Sequence, residues 1–185
     1  MPKRAIPSIE NDLVRLRLLQ ENDLPMTLRW RNQDHIRRWF FCSDVITPEQ
    51  HTKWFLQHIT REDDFVFIIE QIHRNYRPVG QVALYNIDWT AFQAEFGRLM
   101  IGEPDASSKG LARAATRAAL RIAFDHMELN KVLLEVYAEN RKAIAIYEEI
   151  GFKTDGTLDN IRKMSISANR INYRSTNVEG NQQIF

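Results

Sequence analysis

A chain of 185 residues with a formal net charge of +1 is long enough to bury a full core as one domain, and it carries no broad field to recruit nucleic acid or an anionic membrane. Behind Met1-Pro2-Lys3-Arg4-Ala5 no apolar run follows, so no signal peptide is expected, and no apolar segment approaches the roughly 18 residues that cross a bilayer. The single cysteine, Cys42, excludes an internal disulfide and fits a reducing, cytoplasmic setting.

Residues 13–18 alternate apolar and basic side chains, which suits a half-buried first strand. Asn22 or Asp23 then caps a helix that tolerates Pro25 in its first turn and carries Leu24, Leu28 and Trp30. A short segment over residues 36–41 sets aromatics beside Arg37 and Arg38. Cys42 follows Trp39-Phe40-Phe41 and reads as a small buried hydrophobe, since no histidine with an orienting partner lies near it in sequence. Thr47-Pro48-Glu49-Gln50 is a helix start with Thr at the cap, Pro at the first position and Gln three after the cap.

Residues 65–69 form a β-rich run, turn chemistry follows at residues 73–78, and residues 79–89 read as the return strand of a hairpin. After a turn at Thr90 and Ala91, residues 92–101 form a fourth strand, so the first half of the sheet is an antiparallel meander. Gly97 sits mid-strand, where glycine marks a bulge or a close approach by a backbone or ligand. A helix from Gly110 to about Met127 is rich in alanine and packs close to the sheet. Its Arg113, Arg117 and Arg121 form a basic stripe, read as a solvated face helped by an Arg121–Asp125 pair. A strand over residues 131–138 follows; Asn140 caps the last clear helix, and Gly151 ends it. Two short strands, residues 152–158 and 163–167, close a single domain of residues 1–167, and residues 168–185 are a polar tail expected to be loosely ordered.

Function concentrates between Gly102 and Gly151. A polar loop, Gly102-Glu103-Pro104-Asp105-Ala106-Ser107-Ser108-Lys109-Gly110, runs straight into a helix N-terminus, whose unpaired N–H groups and positive dipole end suit a phosphate. Taken alone, the hexapeptide reads as a plain Ser-capped helix start. The five histidines show no metal-ligand spacing, so no metal is expected.

Ser107-Ser108-Lys109-Gly110-Leu111-Ala112 matches the last half of the Arg/Gln-x-x-Gly-x-Gly/Ala pyrophosphate loop of the GNAT superfamily of acetyl-coenzyme A-dependent N-acetyltransferases. Ala138-Glu139-Asn140-Arg141-Lys142-Ala143-Ile144-Ala145-Ile146-Tyr147-Glu148-Glu149-Ile150-Gly151-Phe152 matches its second landmark, and with Ile101-Gly102-Glu103-Pro104 the chain resembles that superfamily from residue 13 to about 158. The resemblance implies an α/β (α+β) fold: a mixed, mostly antiparallel central sheet of about seven strands with helices on both faces. It also implies acetyl-CoA, with Ser107, Ser108, Lys109, Gly110, Leu111, Ala112 and Arg113 at the diphosphate and Met100, Ile101, Asn140, Ala143 and Tyr147 along the rest of the coenzyme. The sequence departs from the pattern at Ser107, where Arg or Gln is usual, and at Ser108, where glycine is common. A Ser held at positive φ costs about 1 kcal/mol, whereas hydrogen bonds to a charged group contribute roughly 1.5–3 kcal/mol each, so weakened but retained coenzyme binding is expected.

Within the resemblance, Tyr147 is the expected donor to the departing thiolate; the alternative is a core aromatic. A backbone N–H near Met100 or Ile101 is the expected oxyanion donor, with the fourth strand splayed from the strand over residues 132–138 to admit the pantetheine arm. Glu95 is the first choice for the general base and Glu135 the second, though either could be a solvated strand charge. For the acceptor, Trp30, Arg31, Asn32, Phe41, Trp54 and Tyr85 are the expected contacts, arginine suiting a diphosphate and aromatics a base or sugar face. This half is similar to acetyltransferases of nucleotide-linked amino sugars, those of pseudaminic acid synthesis included; the ribosomal-protein N-terminal acetyltransferases share the layout. The expected partner is a small-molecule amine, and the expected assembly a monomer or homodimer. A non-catalytic acyl-CoA-binding module stays open because of Ser107 and Ser108.

Overall fold

The computed structural model describes residues 4–107 and 109–168. Ser108 and the expected tail from residue 169 lie outside them. The chain order is β1 (Ile9–Glu10), β2 (Val14–Leu18), α1 (Leu24–Arg31), α2 (Asp34–Arg37), α3 (Pro48–His58), β3 (Phe65–Gln71), β4 (Arg77–Asp88), β5 (Gln93–Ile101), α4 (Leu111–Arg121), β6 (Lys131–Tyr137), α5 (Arg141–Ile150), β7 (Lys153–Leu158) and β8 (Ile161–Ser167). The strands form one sheet in the order β1-β2-β3-β4-β5-β6-β8-β7. Among the described residues β5–β6 is the one parallel pair, made by the α4 crossover; the other six pairings are antiparallel. The count exceeds the expected seven by the two-residue β1.

β3 is buried from Phe65 through Glu70, as a central strand covered on both faces must be. One core joins Phe65, Phe67, Ile69, Leu84 and Phe96 to the alanine face of α4 and to Ile144 and Tyr147 of α5; Trp30, Ile36 and Met100 form a second, smaller cluster under α1 and α2. Ala115, Ala118 and Ala119 are fully buried, and α4 lies across β2, β4 and β5 because methyl side chains permit close approach. The helix continues into a π-helical turn over Ile122–His126, and Arg121 reaches Asp125 at 3.9 Å as the stripe suggested.

Three helix ends follow their sequence signals. Thr47 Oγ1 accepts from Gln50 N at 3.2 Å while Gln50 Oε1 accepts from Thr47 N at 2.8 Å. Asn140 Oδ1 accepts from Ala143 N at 3.2 Å, and Gly151 ends α5 at φ +118°. The start of α1 differs. Asp23 does not cap it with its side chain; its carboxylate takes Arg17 through two bonds, 2.7 and 2.8 Å, and the Gln20 N–H at 2.8 Å. The competing partner is a half-buried cation, whose charge-assisted bonds outweigh a cap.

Candidate active site

The parallel pairing of β5 and β6 lasts only from Gln93–Lys131 to Glu95–Leu133. β6 continues to Tyr137 against β8, whereas β5 turns away, so beyond Glu95 its inner edge has no strand partner. The divergence has a local cause: opposite Gln81 and Ala83, β5 carries an extra residue between Met100 and Gly97. Within that bulge Arg98 sits at φ +51°, a strained value for a side-chain-bearing residue. Two bonds from Arg98 Nη1 to buried Asp64, 2.8 and 3.0 Å, hold it there, and its guanidinium lies 4.4 Å from the Tyr85 ring centroid. The bulge is therefore beside Gly97, not at it. Gly97 is glycine because Tyr85 crosses it: an added Cβ would lie 2.9 Å from Tyr85 Oη.

A cavity of about 730 Å³ fills the gap, walled by the far half of β5, the end of β6, the start of α4, α5 and the segment from Arg31 to Cys42. Its size suits a cofactor-scale ligand. At one end, Gly110 (φ +76°) opens α4, and the first helical bond runs from Ala114 N to Gly110 O at 3.0 Å. The N–H groups of Leu111, Ala112 and Arg113 thus have no intrahelical acceptor, and all three residues line the cavity together with Ser107 and Gly110. Lys109 is exposed and does not line it. Ser107 is in an extended conformation, φ −63°, without positive-φ strain. Arg113 also lines the cavity, already paired to Glu149 at 2.6 Å. N–H groups without an intrahelical acceptor at a helix start, a single ladderless strand edge and sufficient volume together fit a pantetheine diphosphate.

Met100, Ile101, Asn140, Ala143 and Tyr147 all line the same space. Tyr147 is 7% exposed and packs edge-on to Phe96, ring centroids 5.9 Å apart, and against Phe152 at 5.8 Å. Its hydroxyl makes no hydrogen bond within the described residues. Burial, and secondarily the neighbouring Tyr85, pushes its pKa well above the ordinary phenol value, so it faces the cavity as a neutral donor with its bond unspent.

The acceptor end keeps only part of the expected set. Arg31, Phe41 and Tyr85 line the cavity. Trp30 does not: it is fully buried, its Nε1 donates to Glu103 Oε1 at 2.7 Å, and its ring covers Gly102. Asn32 is a clamp instead, exchanging two bonds with the Ile46 backbone at 2.8 and 2.9 Å. Trp54 stacks between His51 and His58 on α3, at 5.2 and 5.1 Å, away from the cavity. Cys42 is exposed at the cavity rim, not a buried hydrophobe, because the segment that carries it turns outward. Arg37 and Arg38 do not line it either; Arg37 is spent on Asp34 and the Ser43 carbonyl.

Glu95 lies outside the lining, on the strand position opposite Tyr85, and accepts from Asn86 Nδ2 at 3.1 Å. Glu135 does line the cavity, paired to Lys163 at 3.0 Å. Sequence reasoning missed His35, Trp39, Arg98, Tyr137 and Lys142. For Tyr137 a signal existed: it shares a strand face with Glu135, and Phe41 meets it edge-on at 5.2 Å.

A family model described as an acetyltransferase (GNAT) domain matches residues 14–153. The chain belongs to the GNAT acetyltransferase family. It is 30% identical over 148 residues to the spermidine N(1)-acetyltransferase of Vibrio cholerae, covering 80% of this chain and 83% of that one. The crystal structure of spermidine N-acetyltransferase from the same organism, in complex with CoA and spermine, superposes with a TM-score of 0.79 at 28% identity over 85% of this chain and 96% of that one. The aminoglycoside N(6')-acetyltransferase type 1 of Klebsiella pneumoniae is 29% identical, covering 84% and 82%. At lower identity, acetyltransferase PseH of Campylobacter jejuni is 23% identical over 72% of this chain and 79% of its own. The GNAT chain is thus an acetyl-CoA-dependent N-acetyltransferase. No helix among the described residues is long and apolar enough to cross a membrane.

Proposed function

We propose that this GNAT enzyme acetylates the primary amine of a small molecule that also carries an anionic group and a planar or sugar ring, a nucleotide-linked amino sugar being the instance that fits best. One observation carries the choice. Arg31 is buried in the cavity wall with no carboxylate partner among the described residues; its Nη2 donates to the Cys42 carbonyl, its face lies 4.0 Å from the Phe40 centroid, and its Nη1 has no hydrogen-bond partner. Burial, with Arg37 nearby, holds its pKa below the ordinary guanidinium value despite the opposing influence of Cys42. A buried cation left so is costly, and an anionic acceptor group at that wall offsets the cost. Trp39, Phe41 and Tyr137 offer ring faces beside it.

Acetyl-CoA, when bound, supplies the acetyl thioester. The chain's own residues do the rest. The start of α4 holds the diphosphate, the unpaired edge of β5 orients the arm, and Tyr147 keeps a proton at Oη for the departing sulfur. A polycationic acceptor is the second reading, favoured by the 30% identity to a spermidine acetyltransferase. Against it, Glu135 is the one carboxylate among the described residues that lines the cavity, and it is already paired to Lys163.

Thiol release from acetyl-CoA, measured with a nucleotide-linked amino sugar, spermidine, an aminoglycoside and N-terminal peptides, tests this. Turnover greatest with the sugar nucleotide is expected. Preference for spermidine or the aminoglycoside would overturn the acceptor class; preference for peptides would point to protein acetylation, and release with none would favour a binding module. We propose a cytoplasmic monomer or homodimer, to be checked by light scattering.

A further inference from the structure

The gap between β5 and β6 is a wedge. Its closed end is the Glu95–Leu133 pair, where the parallel ladder stops, and its open end faces the first turn of α4. A coenzyme with its diphosphate at the N–H groups of Leu111, Ala112 and Arg113 sends its arm along β5 from Ile101 toward Gly97. The thioester then comes to rest near the closed end.

The two faces of the sheet bound that end with different side chains. Leu84 and Phe96 are cross-strand partners in the core under α4, and Phe96 meets Tyr147 there edge-on at 5.9 Å. Tyr85 follows Leu84 and so stands on the opposite face, the one on which Gln81 pairs with Met100 beneath α1 and α2. Tyr147 meets the sulfur from the first face, and the amine arrives from the Arg31–Cys42 wall on the second. The acyl group lies between them, with its tail toward Tyr85. We propose that the Tyr85 ring is the end-stop for this tail, limiting it to the two carbons of acetyl and excluding longer acyl thioesters. The inference rests on the reading of this chain as an acetyltransferase with Tyr147 at the sulfur.

An end-stop must be large and fixed. The Tyr85 ring lines the cavity and is held from two directions. Gly97 lets it lie directly on the β5 backbone, since a Cβ there would stand 2.9 Å from Oη and 3.2 Å from Cε1. Arg98 flanks it, its guanidinium 4.4 Å from the ring centroid and itself tied to buried Asp64 by two bonds. The ring therefore cannot sink into β5 or swing past Arg98 to admit another methylene. On the first face Phe96 and Tyr147 are buried and both pack on Phe152, so an extra carbon finds no room there either.

The test is the ratio of kcat/KM for acetyl-CoA to that for butyryl-CoA, with whichever amine the acceptor panel shows to be used fastest. It is measured for wild type, Tyr85→Phe, Tyr85→Leu and Tyr85→Ala, with CoA affinity by calorimetry as the check that each variant keeps the site. A misfitting methylene in a closed pocket changes kcat/KM about 10- to 200-fold, so a wild-type ratio of about 10² or more is expected for two of them. Tyr85→Phe keeps the ring and should keep the ratio. Tyr85→Leu should lower it, and Tyr85→Ala should bring it within about tenfold of unity. Because each ratio is internal to one protein, a general loss of activity in a variant does not move it. Should Tyr85→Ala fail to bind CoA, Tyr85→Leu decides. A wild type that uses both thioesters equally would overturn the end-stop, as would leucine and alanine variants that keep the wild-type ratio. A phenylalanine variant that loses the ratio would overturn it too, by assigning selectivity to the hydroxyl. In those cases acetyl transfer itself stands; a wild type that acetylates no amine, or a Tyr147→Phe enzyme with full turnover, would overturn the underlying reading and the end-stop with it.

Discussion

Gly102 lies flat against the indole of Trp30, and a Cβ there would come within 2.0 Å of the ring. Trp30 Nε1 bonds to Glu103, the next residue, and Glu103 is held in turn by Arg29 and Arg77 at 2.9 Å each. α1 is thereby fastened to the exit of β5, which sets one wall of the cavity. Replacing Gly102 by alanine forces ring or backbone to shift in a closed site, so a loss of about 1–3 kcal/mol is expected. Urea unfolding should show a lower midpoint with an unchanged slope.

Tyr147→Phe removes a hydroxyl that bonds to nothing in the described residues while keeping the ring contacts with Phe96 and Phe152. Folding stability should hardly change, and coenzyme affinity should stay the same. kcat should fall about 10²-fold, as for loss of a positioned acid. Unchanged turnover in a steady-state thiol assay would remove Tyr147 from this role.

The helix ends that border the cavity were legible in sequence, because helix starts, glycine turns and caps are local signals: Gly110, Asn140 and Gly151 each act where their residue type says they should. The opposite wall was not. Whether a tryptophan faces a ligand or a glycine depends on contacts between Trp30 and Gly102, 72 residues apart, and no periodicity records them. Arg98 looked like an ordinary strand residue, yet its bond to Asp64, across 34 residues, pins the bulge that opens the sheet. Gly97 marks a close approach, but what approaches is the Tyr85 side chain from β4, and the bulge lies beside the glycine.

Arg31→Met tests the acceptor wall. A buried guanidinium without a counter-ion is exchanged for an apolar chain of similar length, so stability should be unchanged or slightly higher. Loss of one charge-assisted bond of about 1.5–3 kcal/mol should raise KM for an anionic acceptor at least tenfold. Coenzyme affinity, read by calorimetry, should not move. An unaltered KM would show that Arg31 takes no part in acceptor binding.

Asp64 makes the sheet opening acid-sensitive. Its burial acts to raise its pKa, but His58, 3.5 Å from the carboxylate, and the charge of Arg98 outweigh this, and the net direction is downward. A carboxylate lowered on folding contributes stability that is complete above its unfolded value of about 3.9 and is lost as pH falls through the lower folded value. Wild type should therefore lose stability steeply below about pH 4. Asp64→Asn should be less stable at pH 7 and show a flatter acid limb in thermal melts taken from pH 7 to pH 3. An identical acid limb would assign the loss to other groups.

Cys42 provides a chemical probe of the same cavity. It is the chain's single cysteine, it is exposed, and it lines the acceptor end beside Arg31, whose guanidinium donates to its carbonyl. Alkylation with iodoacetamide adds bulk at the rim, on a different segment from the amides that open α4. The expected result is a raised acceptor KM with unchanged acetyl-CoA affinity, slower labelling in the presence of acceptor, and complete resistance in Cys42→Ser. Mass spectrometry counts the single adduct while the thiol-independent product assay follows activity. A labelled enzyme with unaltered acceptor KM would place the acceptor elsewhere than against the Arg31 wall, since a substrate held there cannot avoid the adduct.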